Sequence, residues 1–449
     1  RLKIMDSVIR LLRLPLHCFR HLLCIVVLHI SSQAQAQPYY THPFVMGIGM
    51  HSGRGMAPPA KALPILEYAG ANSVRQEATW SRIELEKDKL KYPPNLQDVE
   101  TYVNHFDQKG GQPLLLLTYG NKFYDDGDIP HSDEAIAGFA RYAGFMAQHF
   151  KGRVKFYEVW NEWDIGLGSN KKPRTVGSVQ TYVKLLKAAH AAIKAADPNA
   201  TVLGGVSSTT HPKWDDEFMK LGGLDYLDGF STHPYLMWNV KSKPENSVEL
   251  LDGLHDRIEK AAPSRKIPLY VTEIGWPNHR GTISWTPQQT ADFVMRFHLL
   301  AKSRPLVGGV WWYTLSNTGR DENDKEQNFG LVEVDYAHKP ALEAYRMTSR
   351  LLLASPDVSV QSVKHDQLIE AKITIPPAAC SALWMQADSY DEAPELAQNK
   401  LKQHHIWGKG RRWSETPHVS CDSEIKPRQG PITDRPNCAA YCSLIKRSE

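Results

Sequence analysis

Two rhythms of apolar residues alternate along this chain. Short continuous apolar runs bounded by Gly, Pro or Asn read as strands covered on both faces. They fall at 44–49, 73–75, 113–119, 154–159, 201–206, 227–231, 267–272 and 307–313. Between them lie longer stretches whose apolar positions recur three and four apart, the spacing of one helix face. In 135–150, for example, Phe139, Tyr142, Ala143, Met146 and Phe150 fall in register. Further helices are predicted at 60–68, 96–106, 176–196, 247–261 and 340–353. Another opens at Thr286-Pro287-Gln288-Gln289, a capping box with Pro at the first helical position. Eight strands alternating with helices from 44 to 353 predict an α/β fold, a (β/α)8 TIM barrel.

The pattern changes at both ends. Arg10, Arg13 and Arg20 precede an apolar run at 21–30 that is followed by Ala34-Gln35-Ala36, so residues 1–36 read as an export signal. The run is shorter than the ~20 apolar residues a spanning helix needs. The expected location is therefore secreted or periplasmic, without stable membrane insertion. The catalytic barrel is assigned to 37–353 and a partial accessory β module to 354–380, from the strand-like runs around Val358 and 369–375. Residues 381–449 show no sustained period and read as a low-order, Cys-containing tail. The whole appendage is thus expected to be small and β-rich or disordered. Cys18 and Cys24 lie in the signal, Cys380, Cys421, Cys438 and Cys442 near the other end, and none between. The barrel is expected to fold without disulfides, while the four late cysteines allow three pairings.

Composition narrows the function classes. Of 449 residues, 42% are hydrophobic and 23% charged, the balance of an ordinary globular protein. A formal charge of +4 with no Lys/Arg-dense patch in the repeating region argues against nucleic acid as a partner. The acidic stretch Asp321-Glu322-Asn323-Asp324 lacks calcium-ligand spacing, and His404-His405 makes no metal site. Neither a metal nor a cofactor is expected. Twelve Trp and eighteen Tyr point instead to aromatic faces against sugar rings.

The chemistry sits at strand ends, which in a parallel barrel line the ligand-binding mouth. Run 154–159 leads into Trp160-Asn161-Glu162-Trp163, and run 267–272 ends on Glu273. Two carboxylates converging from separate strands are what hydrolysis of a glycosidic bond requires. Glu162, between two indoles, is expected to stay protonated for a leaving group, and Glu273 to stay ionised. Arg75 and Tyr235 are the expected stabilisers of that anion, with His233 beside them at the end of strand six. Asn161 is placed to bond a sugar hydroxyl. Trp311 and Trp312 adjoin on one strand, so alternation sends one inward. Trp311 is assigned as a sugar platform, with Trp163 and Trp276, and Trp80 and Trp238 as further candidates.

These motifs, Trp-Asn-Glu at the end of strand four and Thr-Glu-Ile-Gly-Trp at the end of strand seven, resemble clan A of the glycoside hydrolases. The closer resemblance is to family 39, the β-xylosidase group, with family 5 second. It rests also on Val74-Arg75 followed by Trp80-Ser81-Arg82-Ile83-Glu84, on Ser231-Thr232-His233-Pro234-Tyr235, on Asn328-Phe329-Gly330-Leu331-Val332 and on Lys339-Pro340-Ala341. It implies a carbohydrate substrate and retention of configuration, with Glu162 as acid/base and Glu273 as nucleophile. Glu273-Ile274-Gly275-Trp276-Pro277 is shared with other families of the clan, β-glucanases included. A transglycosylase and a catalytically weak carbohydrate-binding or exopolysaccharide-processing barrel are the alternatives.

Overall fold

The computed structural model describes residues 37–208, 211–236, 242–355, 357–363, 368–375, 378–385 and 417–421. The export-signal reading, Trp238 and His404-His405 lie outside the described residues. The chain divides into two units after Pro38, and the barrel belongs to the unit that begins at Tyr39.

Eight parallel strands close into a barrel in sequence order. They are β1 (Val45–Gly49), β2 (Ser73–Thr79), β3 (Leu114–Thr118), β4 (Phe156–Val159), β5 (Thr201–Ser207), β6 (Gly229–Thr232), β7 (Leu269–Ile274) and β8 (Val307–Trp312). β1 pairs with both β2 and β8, which closes the ring. The helices between and after them are α1 (Pro59–Ala69), α2 (Gln97–Gln108), α3 (Asp133–His149), α4 (Val179–Ala196), α5 (Pro212–Lys220), α6 (Pro244–Ala261), α7 (Pro287–Lys302) and α8 (Pro340–Ala354). Their starts follow local chemistry. Ser132, Ser178 and Thr286 each accept a hydrogen bond from the backbone N–H three residues on. Thr286 and Gln289 complete the predicted capping box.

Side-chain alternation sorts the core into two layers. Val45, Leu114, Leu116, Phe156, Leu203, Tyr270 and Trp311 fill the barrel interior. Trp312 belongs instead to the layer between strands and helices. Gly47 on β1 sits against the Trp311 ring, where a Cβ would collide with the indole, so the interior accommodates Trp311 only because residue 47 has no side chain. Run 73–75 proves to be the start of a seven-residue strand. Arg75 therefore lies within β2 and points into the barrel rather than ending the strand.

Beyond the barrel, β9 (Asp357–Val363), β10 (Leu368–Ile375), β11 (Ala378–Met385) and β12 (His418–Cys421) form an antiparallel sheet in the order β12-β11-β10-β9. β11 crosses position 380, and β12 falls within the stretch read as low-order tail. Cys380 is disulfide-bonded and faces Cys421 across the β11–β12 pair. Trp384 on β11 donates its indole N–H to Glu245 of α6 at 2.9 Å, and Glu245 in turn accepts from Arg296 of α7. The sheet is thereby tied to the helical layer through buried polar groups.

Candidate active site

Above the Leu116 level the barrel opens into a cavity of about 550 Å³. Glu162 and Glu273 both line it. One carboxylate oxygen of each, together with one ring nitrogen of His233, lie within 4.8 Å of one another.

Each group is aimed by local backbone features. After β4 the chain turns sharply, and Trp160 and Glu162 both take left-handed backbone angles (φ +74° and +46°) that non-glycine residues rarely adopt. Such conformations persist where surroundings over-determine them, and they gather at active sites. Along β7, Leu269 and Val271 face the helices, Tyr270 faces the interior, and Thr272 bonds inward to Ser231 and His233. Strict alternation would therefore send Glu273 outward. The register between β7 and β8 shifts between Val271 and Ile274, and Glu273 faces the cleft. Irregularities of this kind re-aim side chains beside active sites.

Arg75 organises the floor. Its Nε donates to Glu158 at 2.7 Å, Nη1 to Glu273 at 3.1 Å and Nη2 to Asn161 at 2.8 Å. Burial alone would lower the guanidinium pKa; Glu158 and Glu273 outweigh it and raise it, so the cation is permanent. Glu158 is fully buried. Burial pushes its carboxyl up, but Arg75, His233 and the Ser231 hydroxyl more than reverse this, and its pKa is lowered. Tyr235 donates to the other oxygen of Glu273 at 3.2 Å, and burial next to that carboxylate raises the phenol well above its ordinary value. Glu273 thus has a cation at one oxygen and a hydroxyl donor at the other.

Glu162 meets His233, whose Nδ1 lies 2.9 Å from its Oε1 while Nε2 bonds Thr272 at 3.1 Å. Burial lowers the imidazole pKa, yet Glu273 and Glu162 together raise it overall. The surroundings of the Glu162 carboxylate differ from expectation in this respect, because both flanking indoles turn away. Trp160 donates to the Leu167 carbonyl and Trp163 to the Ser178 carbonyl. Glu162, His233 and Glu273 form the only cluster of at least three such ligand groups among the described residues that could hold a metal ion.

Six of the nine site residues read from the sequence come together here: Glu162, Glu273, Arg75, Asn161, His233 and Tyr235. The three tryptophans do not. Trp311 is fully buried in the barrel interior, its indole donating to Ser73, because β8 carries it below the cavity. Trp163 packs on Trp160 and Tyr182, and Trp276 on Phe293, Phe297 and Trp312. Trp80 is likewise buried, stacked on Tyr124. None of them presents a face to a ligand. The aromatic walls are Tyr119, Tyr313 and Phe329 with Tyr235. Sequence reasoning also missed Glu158 and the His51–Glu77 pair, in which His51 contacts the Tyr313 hydroxyl at 3.2 Å.

A closed parallel barrel with two facing carboxylates at the C-terminal ends of β4 and β7 defines the class of fold and site. No family model and no curated protein matches the sequence. Solved structures do match the fold. A family 39 glycoside hydrolase from Bacteroides cellulosilyticus is 22% identical over 77% of this chain and 71% of its own, with a TM-score of 0.64. A monomeric β-xylosidase from Caulobacter crescentus is 20% identical over 79% and 76%, at 0.56. A family 5 glycoside hydrolase from Streptomyces cattleya, solved with Manβ1-4GlcNAc, is 14% identical over 69% and 80%, at 0.54. At these identities the likeness is one of fold, a barrel shared with glycoside hydrolases.

Proposed function

We propose that the protein is a retaining glycoside hydrolase that cleaves β-linked oligo- or polysaccharides by double displacement. The observation that carries this reading is the approach of Glu162 and Glu273 to within 4.8 Å across one cleft. Retaining enzymes hold their carboxyls roughly 5–5.5 Å apart and inverting ones roughly 6.5–9.5 Å, leaving room for a water.

Glu273 is the nucleophile. Arg75 and Tyr235 each donate to one of its oxygens and fix them, so that one lone pair meets the anomeric carbon. Glu162 is the acid/base: it protonates the departing oxygen, then takes a proton from the water that hydrolyses the glycosyl–enzyme ester. His233, bonded to Glu162, orients its carboxyl while the proton leaves for the departing oxygen and is replaced from water. Asn161, fixed by Arg75, is placed to bond the sugar hydroxyl beside the anomeric carbon. The tyrosines and Phe329 give sugar rings apolar faces. Export is part of the reading, supported by the basic and then apolar segment before Ala34-Gln35-Ala36.

The test is Glu273→Gln assayed on aryl β-xyloside and β-glucoside. Turnover is expected to fall by at least about 10³-fold with ligand binding retained. Near-normal turnover would overturn the assignment. Proton NMR of the first product formed by the native enzyme should show the β anomer, and sugar transfer in place of water would identify a transglycosylase.

A further inference from the structure

The loop that carries Glu162 has an anchor lying outside the cleft. Asp164, two residues after Glu162, has a side chain wholly out of solvent and does not line the cavity. Its carboxylate nevertheless takes three hydrogen-bond contacts from a single neighbouring segment. Oδ1 accepts from the Ser208 backbone N–H at 3.0 Å, Oδ2 accepts from the Ser208 hydroxyl at 2.9 Å, and the His211 Nδ1 lies 2.7 Å from the same Oδ2. Ser208 directly follows β5. His211 is the residue before α5, and its carbonyl accepts from Trp214 and Asp215 in the first turn of that helix. Asp164 therefore bolts the turn after β4 to two rigid elements of the next β/α unit.

The turn requires such an anchor. Trp160 and Glu162 are both held in left-handed conformations, each disfavoured for a non-glycine residue. Leu167 and Ile165 bond back to the Glu162 carbonyl at 3.2 and 3.4 Å, so these bonds hold the loop to itself and not to the barrel. The Trp160 and Trp163 indoles are likewise bonded within the 160–178 stretch. The start of the turn is held to β2 and β3, by Asn161 to Arg75 at 2.8 Å and by the Trp160 N–H to the Leu117 carbonyl at 3.0 Å, and Glu162 itself meets His233. Beyond Glu162 it is Asp164 that ties the turn to β5 and α5, and a charge-assisted bond to a backbone N–H is among the strong kinds.

We propose that Asp164 is a positioning residue for the acid/base. By holding the turn on Ser208 and His211 it keeps the Glu162 carboxyl within reach of the departing glycosidic oxygen. Small displacements at a reacting group are costly in rate. Misplacing an acid affects mainly those substrates whose leaving group needs a proton. The inference rests on the reading of Glu162 as the acid.

The experiment compares Asp164→Asn with the native enzyme and with Glu162→Gln on two substrates of the same glycone, phenyl and 2,4-dinitrophenyl. The quantity read is kcat/KM, which reports formation of the glycosyl–enzyme. For Asp164→Asn the phenyl substrate should lose about 30-fold and the dinitrophenyl substrate less than about threefold, the same sense of split as Glu162→Gln. Hydrogen–deuterium exchange should rise in peptides covering 160–168 and stay unchanged in those covering β7. If Asp164→Asn does not fold, Ser208→Ala, which removes only the hydroxyl bond, should show a smaller split of the same sign. Equal losses on both substrates, no loss on either, or unaltered exchange at 160–168 would overturn the proposal while leaving Glu162 in place. A Glu162→Gln enzyme without the split would instead remove the acid assignment, and the proposal with it.

Discussion

Arg75 Nε and Glu158 Oε2 lie 2.7 Å apart beneath the cleft, with the carboxylate fully buried and the guanidinium nearly so. The pair forms the base on which the nucleophile stands, since the same guanidinium reaches Glu273. Removing one member of a buried ion pair strands the other charge and costs about 3–5 kcal/mol. Glu158→Ala is therefore expected to destabilise the barrel by that amount, read as the shift in denaturant midpoint at neutral pH. The pH dependence has a definite sign. The folded-state pKa of Glu158 lies below its unfolded value. Its contribution is thus present above roughly pH 4.3, the ordinary glutamate value, and is lost as pH falls through the depressed folded value. Glu158→Gln should flatten the acid limb of the stability curve, and an unchanged limb would contradict this.

His233 acts with the opposite sign. Its imidazole faces Glu162, Glu273 and Glu158, with Thr272 at Nε2 and Arg75 opposing, and its folded pKa is raised. A raised cationic group stabilises fully below its unfolded value of roughly 6.5 and loses that contribution as pH rises through the folded value. Melting temperatures measured from pH 5.5 to 8.5 should fall more steeply for the native protein than for His233→Asn. Parallel curves would show that the His233 pKa is the same in the folded and unfolded protein.

Tyr235 gives a cleaner kinetic expectation. Its hydroxyl is 3.2 Å from Glu273, and the raised phenol pKa keeps it a donor through neutral pH. A hydrogen bond to a charged group contributes about 1.5–3 kcal/mol. Tyr235→Phe should lower kcat/KM by roughly 10- to 100-fold, since each 1.36 kcal/mol is tenfold. Most of the loss is expected in kcat, because the bond fixes the nucleophile rather than the sugar. A loss confined to KM would assign the hydroxyl to substrate instead.

The barrel was legible in the sequence because parallel strands covered on both faces leave continuous apolar runs, and each of the eight runs corresponds to a strand. Glu162 and Glu273 were legible as polar residues closing such runs. The same rule selects Tyr119 and Tyr313, the last residues of runs 113–119 and 307–313, and both line the cleft. Glu158 was missed: its direction follows by period two only once Phe156 is known to face the interior, which the structure supplies. The directions of Trp163 and Trp276 were not legible, because they depend on how loops fold back against α4 and α7. β12 was not legible either, since four residues pair with β11 only through long-range register.

The aromatic assignment separates two kinds of variant. Trp311 is wholly buried among Phe156, Tyr270 and the β1 backbone, so Trp311→Ala should cost about 3–5 kcal/mol of stability. Tyr313 is partly exposed on the cavity wall with its hydroxyl toward His51, so Tyr313→Ala should raise KM for oligosaccharides with little change in unfolding midpoint. Steady-state kinetics beside thermal unfolding of both variants decides the matter. A KM effect from a still-folded Trp311 variant would return it to the sugar site.

The last expectation concerns the sheet β9–β12. Arg296 is completely buried, and its charge is met by Glu245, which also accepts the Trp384 indole N–H. Two helices and the sheet therefore share one carboxylate. Trp384→Phe keeps most of the apolar contact and deletes the donor. A neutral hydrogen-bond donor lost from a buried acceptor costs about 1–3 kcal/mol, because the acceptor is left short of a partner. Glu245→Ala strands Arg296 and should cost about 3–5 kcal/mol. If the sheet were only loosely associated, Trp384→Phe would leave the melting temperature unchanged and Glu245→Ala would act alone. If it is integral, both variants lower the midpoint of one cooperative transition. Their double mutant should then lose less than the sum, because the indole bond is already gone once Glu245 is removed.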